Sequence, residues 1–565
     1  MKGAVLSMMP LNKNKLAKRI EEITKALTKE LSVVGTPGEL DVVNKAHEIL
    51  AAMDYYQENP QDLQFVDVKD DPLQRKSVVA ILRGKGGNSK KTVILIGHLD
   101  TVGIADYGVL KDLANQPDEL TKKFAGLAAS LSQETQEDLA SGNYLFGRGI
   151  FDMKCGNAIN IALIEAIAED IENFDGNLIY AGVCDEEANS AGMLSVIPQL
   201  VKWRNDENFQ YLGLIDTDYM TSEYVGDDNK YVYIGSVGKL MPSFLIVGKE
   251  THVGEPFNGL DANQIAASIT NRINMNVDFC DIVDGEATLP PVSLRQRDLK
   301  PEYSVQTPHQ ATLFFNYATH HSTPDQVMTK MVAAAAEAFQ KTIDDLNQQY
   351  QRFCDLIKRP YAPLPWKART ITYEQLYSQV KAEMGEALDE IIAEFTEKTV
   401  TDDRIDARDF ARLQVELVHK HWSDREPVVI VYFSPPYYPH IHVKGERQLE
   451  KNLMAAVHEA INTTETEYQL VSKKFFPYIA DLSYAAAPSD RQIIATLKNN
   501  TPGFGTKYEL PLAAMADLNL PVLNIGPFGK DAHQFTERIE KNYSFKVAPE
   551  LVYKTINNLL TMKND

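Results

Sequence analysis

Cysteine is scarce in this chain: four in 565 residues, Cys155, Cys184, Cys280 and Cys354, with no Cys-x-x-Cys pair. A disulfide-framed fold is excluded, and the usage suits a reducing compartment, the cytoplasm. Positive charge is in deficit, with 57 Lys and Arg against 78 Asp and Glu for a net charge of -21. That balance argues against nucleic acid or an anionic membrane surface as a partner. No apolar run reaches the ~20 residues a membrane span needs. The stretch Met1 to Pro10 lacks a signal-peptide core, because Gly3 and Pro10 interrupt it. Repeats at a fixed period are absent too. What remains is ordinary: 44% hydrophobic residues, enough for a sizeable core, in a chain long enough for two to four domains at ~100 to 200 residues each.

The organising stretch is Leu95 to Asp100, where the apolar run Val93-Ile94-Leu95-Ile96 ends in Gly97 and presents His98 and Asp100. It reads as a buried strand delivering polar groups at its carboxyl end, where open α/β sheets collect chemistry. Helices are expected over 11–31 and 39–53, and strands over 65–68, 77–82 and 92–96. Gly84-Lys85-Gly86-Gly87 follows a strand but opens no helix, so it reads as a hairpin turn and not a phosphate loop. The acidic segment 107–142 reads as a surface excursion. Asp152 stands just ahead of an apolar helix over 157–167, where a carboxylate can also serve as a simple cap.

The strand design recurs. Asn177 to Val183 is followed by Asp185-Glu186-Glu187, Tyr211 to Ile215 by Asp216 and Asp218, and Pro521 to Ile525 by a glycine-rich turn and His533. Three consecutive carboxylates after a buried strand are costly unless cations neutralise them. Between 237 and 436 the texture changes to isolated strands (241–247, 311–318, 428–433) and long helical patterns (324–357, 373–399), with a proline-rich connector at 359–365. This reads as an inserted α+β domain, giving catalytic parts at 1–236 and 437–565 around a lid or dimerisation domain at 237–436.

His98, Asp152, Glu187, Asp216 and His533 make a set of oxygen and imidazole donors suited to two divalent ions, zinc first, with cobalt or manganese as alternatives. Asp152 can bridge two such ions, which together activate water and polarise a carbonyl. Glu186, beside the ligand Glu187, is placed to take the water's proton and pass it to the leaving nitrogen. Asp100 is placed to accept the other ring N–H of His98 and fix its tautomer.

Gly97-His98-Leu99-Asp100-Thr101-Val102, Gly147-Arg148-Gly149 through Asp152-Met153-Lys154, Asp185-Glu186-Glu187, and Gly248 through His252-Val253-Gly254-Glu255-Pro256 to Gly259 resemble the M20 family of metallopeptidases and amidohydrolases, in that family's order. The long insertion and Phe475-Phe476-Pro477-Tyr478-Ile479-Ala480-Asp481-Leu482-Ser483-Tyr484 are similar to its RocB-type branch, associated with arginine utilisation. The resemblance implies an α/β, zinc-peptidase-like catalytic domain with a mixed sheet flanked by helices. It also implies an inserted α+β lid, enlarged here by helices, that often forms homodimers. In that scheme His98 and Asp216 complete one metal site, Glu187 and His533 the other, and Asp152 bridges them. Glu186 is the general base, Asp100 the orienting acid, and His252 a lid histidine that stabilises the oxyanion.

Three departures stand out. Cys155 replaces the first glycine of the usual Asp-Met-Lys-Gly-Gly, the acid after the Tyr211 strand is Asp216 with Asp218 as a rival, and no substrate-binding arginine is evident around Phe315-Asn316-Tyr317. The expected activity is hydrolysis of a peptide or N-acyl amide bond in a small substrate, with arginine-related compounds as candidates. Two other classes compete: a catalytically silent binding or scaffold protein, against which the complete ligand set argues, and a cysteine hydrolase using Cys184 or Cys155. Cys184 adjoins three carboxylates that suppress a thiolate, so the last ranks lowest.

Overall fold

The computed structural model describes residues 11–562; the expectation about Met1 to Pro10 lies outside them. The described residues divide into two compact units, one of residues 11–236, 441–487 and 511–562, the other of 237–440 and 488–510.

The first unit is built on eight strands: β1 (Leu63–Asp67), β2 (Lys76–Arg83), β3 (Lys91–His98), β4 (Asn177–Val183), β5 (Gln210–Asp216), β6 (Lys230–Ile234), β7 (Leu470–Lys473) and β8 (Val522–Asn524). Their order across the sheet is β1-β2-β4-β3-β5-β8-β6-β7. Neighbours β4, β3, β5 and β8 are mutually parallel, whereas β2 runs antiparallel to β4 and β6 antiparallel to β8. The sheet is therefore mixed, and its four central strands all end at one edge. β3, β4 and β5 are almost wholly buried, which explains their continuous Val, Ile and Leu runs where an exposed strand would alternate.

The expected hairpin between β2 and β3 does not form, because β4 lies between them. The glycines at 84–87 instead lie against the backbone that precedes β4: the Gly84 N–H donates to Gly176 O at 2.8 Å and that of Gly86 to Phe174 O at 2.9 Å. Glycine spacing marks a close approach equally well in both arrangements.

Helices α1 (Lys13–Lys29), α2 (Gly38–Ala51), α3 (Cys155–Ala168), α4 (Ala191–Glu207), α5 (Gln448–Thr463) and α6 (Ala548–Thr561) flank the sheet. α3 and α6 pack on β3, and α4 packs on β1, β2 and β4. The segment 107–142 is more than a surface excursion. Helices Pro117–Ala125 and Gln133–Ser141 form in it, and Tyr107, Leu120 and Phe124 close a small apolar cluster with Phe146. Leu120 and Phe124, four apart, share one helix face, a pattern masked by the acidic residues around it.

The second unit is α+β. Its sheet runs in the order Val292–Asp298, Gln310–Thr319, Pro242–Val247, Val428–Phe433, Thr370–Thr372, antiparallel except for the last pair. Leu245, Val247 and Ile430 pack with Leu376, Val415 and Val418 from its helices and with Trp422, just past the helix Ala407–Lys420. The longest helix, Pro324–Leu356, starts from a capping box of Thr323 and Gln326. The pattern over 373–399 is two helices, Tyr373–Met384 and Ala387–Thr399, parted at Gly385, whose φ of +61° suits glycine. Among the described residues no helix is long and apolar enough to cross a membrane.

Candidate metal centre

The four parallel strand ends deliver the site. His98 closes β3, Glu186 and Glu187 follow β4, Asp218 follows β5, and His533 lies in the loop after β8. Asp152 comes from the turn leading into α3. Its carboxylate stands between two imidazoles, with Oδ1 3.1 Å from His98 Nε2 and Oδ2 3.0 Å from His533 Nε2. His533 Nε2 is also 3.1 Å from Glu187 Oε1. Two donor groups result, His98, Asp152 and Asp218, and Asp152, Glu187 and His533, each with its ligand atoms within 4.8 Å of one another.

Asp216, expected as a ligand, belongs to neither group; Asp218 stands in its place. Residues two apart on a strand share a face, so spacing cannot separate them, and the point where the strand stops decides. Asp216 is still within β5, registered against Ile96 and Asn524. Beyond it the backbone is gripped closely. A Cβ at Gly156 would lie 2.0 Å from Thr217 O and one at Gly526 1.8 Å from Asp218 O, and Asn524 Nδ2 donates to Asp218 O at 2.8 Å.

His98 Nδ1 lies 3.1 Å from the main-chain oxygen of Asp100 and 3.7 Å from its carboxylate, the acceptor expected from the sequence. With Nδ1–H donating to that carbonyl, the Nε2 lone pair is free for a cation. The Asp100 carboxylate instead accepts the N–H groups of Glu186 at 3.1 Å and Glu187 at 3.0 Å. α3 holds the strand end from the other side: Asn157 Nδ2 donates to His98 O at 2.5 Å, and Tyr180 Oη donates to Asn157 Oδ1 at 2.7 Å.

Electrostatics fit cations. Burial, and then the charge of Asp152, pushes Asp218 up to about 8. Glu187 is raised by the same two causes. Glu186 is held well above the usual range by burial and by Asp481, Glu187 and Asp218, against the pull of His98. Carboxyls pushed toward protonation by their own crowding are relieved by divalent ions, and an oxygen and imidazole donor set is what such ions take.

Several residues that support the site carried no motif. Asp481, buried, is raised by burial and by the charges of Asp100 and Asp185 against the pull of His98; it lies in the Phe475–Tyr484 stretch whose resemblance was evident, though its influence on Glu186 was not. Arg538, fully buried, donates to Asp138 Oδ2 at 2.8 Å and pairs with Asp531, two residues before His533. The helix Gln133–Ser141 thus anchors the loop of the exposed His533. His252 lies in the second unit, exposed, its Nδ1 accepting the Gly254 N–H at 3.0 Å.

Comparison with known proteins places the chain in a family. The chain is 34% identical to protein RocB of Bacillus subtilis (strain 168) over 96% of its own length and 95% of that protein. It is also 34% identical to the uncharacterised protein YqjN of the same strain, over 94% of each chain. Its fold is similar to that of a tripeptidase from Staphylococcus aureus subsp. aureus Mu50, with a TM-score of 0.51 at 13% identity over 97% and 99% of the two chains. The model of peptidase family M20/M25/M40 matches residues 128–487. The chain belongs to peptidase family M20/M25/M40 and is a metal-dependent hydrolase.

Proposed function

We propose that the chain hydrolyses a peptide or N-acyl amide bond of a small substrate, using two divalent cations. The observation that carries this is the Asp152 carboxylate, one oxygen facing His98 and the other His533. His98, Asp152 and Asp218 hold one cation, and Asp152, Glu187 and His533 the other. Zinc suits these donors best, with cobalt or manganese as substitutes. When bound, such a pair supplies Lewis-acid polarisation of a carbonyl and lowers the pKa of water.

Glu186 does the proton work. It belongs to neither donor group, stands 3.9 Å from His98 Nε2, and its side chain is only 10% exposed. Placed beside the donor groups but outside them, it can accept the proton of the attacking water and hand it to the leaving nitrogen. Asp100 holds Glu186 and Glu187 through their main-chain N–H groups. His252 supplies a hydrogen bond to the developing oxyanion.

The arginine-related substrate rests on the resemblance to the RocB-type branch. A homodimer forms through the second unit, where Val292–Asp298 is an edge strand with Val292 40% and Leu294 52% exposed. The four free cysteines suit the cytoplasm.

A hydrolysis screen of zinc-loaded protein over dipeptides and N-acyl amino acids, arginine derivatives included, tests this reading. Activity should vanish with chelation and return with zinc, cobalt or manganese. Unchanged activity after verified metal removal ends it, and metal binding without any hydrolysis returns the chain to the scaffold reading.

A further inference from the structure

Three consecutive N–H groups carry the acidic turn after β4, and all three donate to carboxylates from elsewhere in the fold. Asp185 N–H goes to Glu39 Oε2 at 2.9 Å, Glu186 N–H to Asp100 Oδ1 at 3.1 Å and Glu187 N–H to Asp100 Oδ2 at 3.0 Å. Asp185 has a left-handed φ of +66°, a conformation that persists in a non-glycine residue only when its surroundings enforce it. Its own carbonyl accepts from Ser190 N at 2.7 Å, and its carboxylate accepts from Ala191 N at 3.1 Å at the start of α4.

Two of these carboxylates, Glu39 and Asp185, are buried, and a single cation serves both. Arg75 Nη1 pairs with Asp185 Oδ1 and lies 3.3 Å from Glu39 Oε1, while Nη2 holds Asp71 at 2.8 Å. The side chains of Arg75, Glu39 and Asp185 are 12%, 0% and 2% exposed. A buried carboxylate stripped of its counter-cation moves toward water, and so loosens its hold on the backbone.

We propose that Arg75 is a positioning residue for Glu186 and Glu187. It touches neither donor group. By fixing the Glu39 and Asp185 carboxylates it fixes the turn, and so the place of the general base and of one metal ligand. The inference rests on the two-cation reading above. It predicts an asymmetric defect, because Glu187 alone among the ligands rides on that turn, while His98, Asp152, Asp218 and His533 stand on other segments.

The test is a calorimetric titration of metal-free protein with zinc alone, beside kcat, KM and Tm measured on the zinc-loaded enzyme. In Arg75→Ala one of the two zinc equivalents should weaken about 10- to 100-fold while the other holds, and kcat should fall with KM little changed. Arg75→Lys, which keeps the charge but not the fork, should recover part of both. The control is Arg83→Ala, at the far end of β2, which breaks pairs with Asp62 at 3.0 Å and Glu207 at 3.1 Å; it should lower Tm and spare zinc affinity and kcat. Wild-type zinc affinity and kcat in Arg75→Ala would overturn the proposal. So would an equal weakening of both equivalents, which marks general loosening. If Arg75→Ala does not fold, Arg75→Lys decides by the same criteria. Wild-type protein that takes up no zinc overturns the two-cation reading itself, a separate result from the failure of Arg75.

Discussion

Asp100 Oδ2 accepts the main-chain N–H of Glu187 at 3.0 Å, so the acid two residues after His98, a member of one donor group, grips the backbone of Glu187, a member of the other. With Oδ1 on the Glu186 N–H, one buried carboxylate couples both halves of the centre. Asp100→Asn offers one acceptor oxygen where two are needed and places an NH₂ against an N–H. Zinc affinity or kcat should drop about 10- to 100-fold, as for other outer partners of metal ligands. Titration calorimetry and steady-state kinetics check it, and wild-type values for both would reduce Asp100 to a packing residue.

Asp216 and Asp218 differ by where β5 ends. Asp218→Ala should lose one zinc equivalent by elemental analysis, whereas Asp216→Asn should retain two. The reverse pattern would give the ligand role back to Asp216.

Glu186→Gln keeps the shape of the side chain and removes its ability to take a proton. It should still bind two metal ions while kcat falls about 10²- to 10⁴-fold. Near-normal turnover would remove Glu186 as the general base.

Metal-free protein should lose stability as pH rises. Asp218 titrates at about 8 and Asp481 at about 7 in the folded chain, both raised first by burial, against about 4 when unfolded. His533, raised to about 10 by Asp152 and Glu187 against burial, acts in the same direction. The folded state therefore holds more protons between about pH 4 and 8, and its stability falls across that window. Cations replace those protons, so the Tm gained on adding zinc should grow from about pH 5 to pH 8. A metal-free Tm that climbs over the same range contradicts this.

His252 accepts the Gly254 N–H at Nδ1, which leaves Nε2 as the protonated nitrogen of the neutral ring, a donor. His252→Ala should raise the barrier by about 2.7 to 4 kcal/mol, the cost of a lost oxyanion donor. It should appear in kcat, with zinc content unchanged. An unaltered kcat would make it a loop residue.

Much of this was legible in the residues. β3 and β5 end in His98 and Asp216, β4 is followed by Asp185 to Glu187 and β8, after a glycine-rich turn, by His533, and runs such as Val93 to Ile96 could be placed because burial on both faces leaves continuous apolar sequence. The order of those strands was not legible: nothing in Gly84 to Gly87 says that β4 will insert between β2 and β3, since pairing is decided by residues nearly a hundred positions away. That Asp218 and not Asp216 falls in a donor group depends on a single strand end, with Gly156 and Gly526 packed against the backbone beyond it. Arg75, Glu39 and Arg538 escaped because ion pairs between distant segments leave no period or spacing behind them.

The position of β8 has a consequence for biosynthesis. It lies between β5 and β6, which leave the ribosome roughly three hundred residues before it, with the second unit made in the interval. Until Val522 to Asn524 arrives, β5 and β6 have no partner between them, and closing so long a loop is slow. His533 comes nine residues later. The donor group that includes His533 is therefore completed only once nearly all of the described chain exists, and an arrested or truncated product exposes a bare strand edge that invites aggregation.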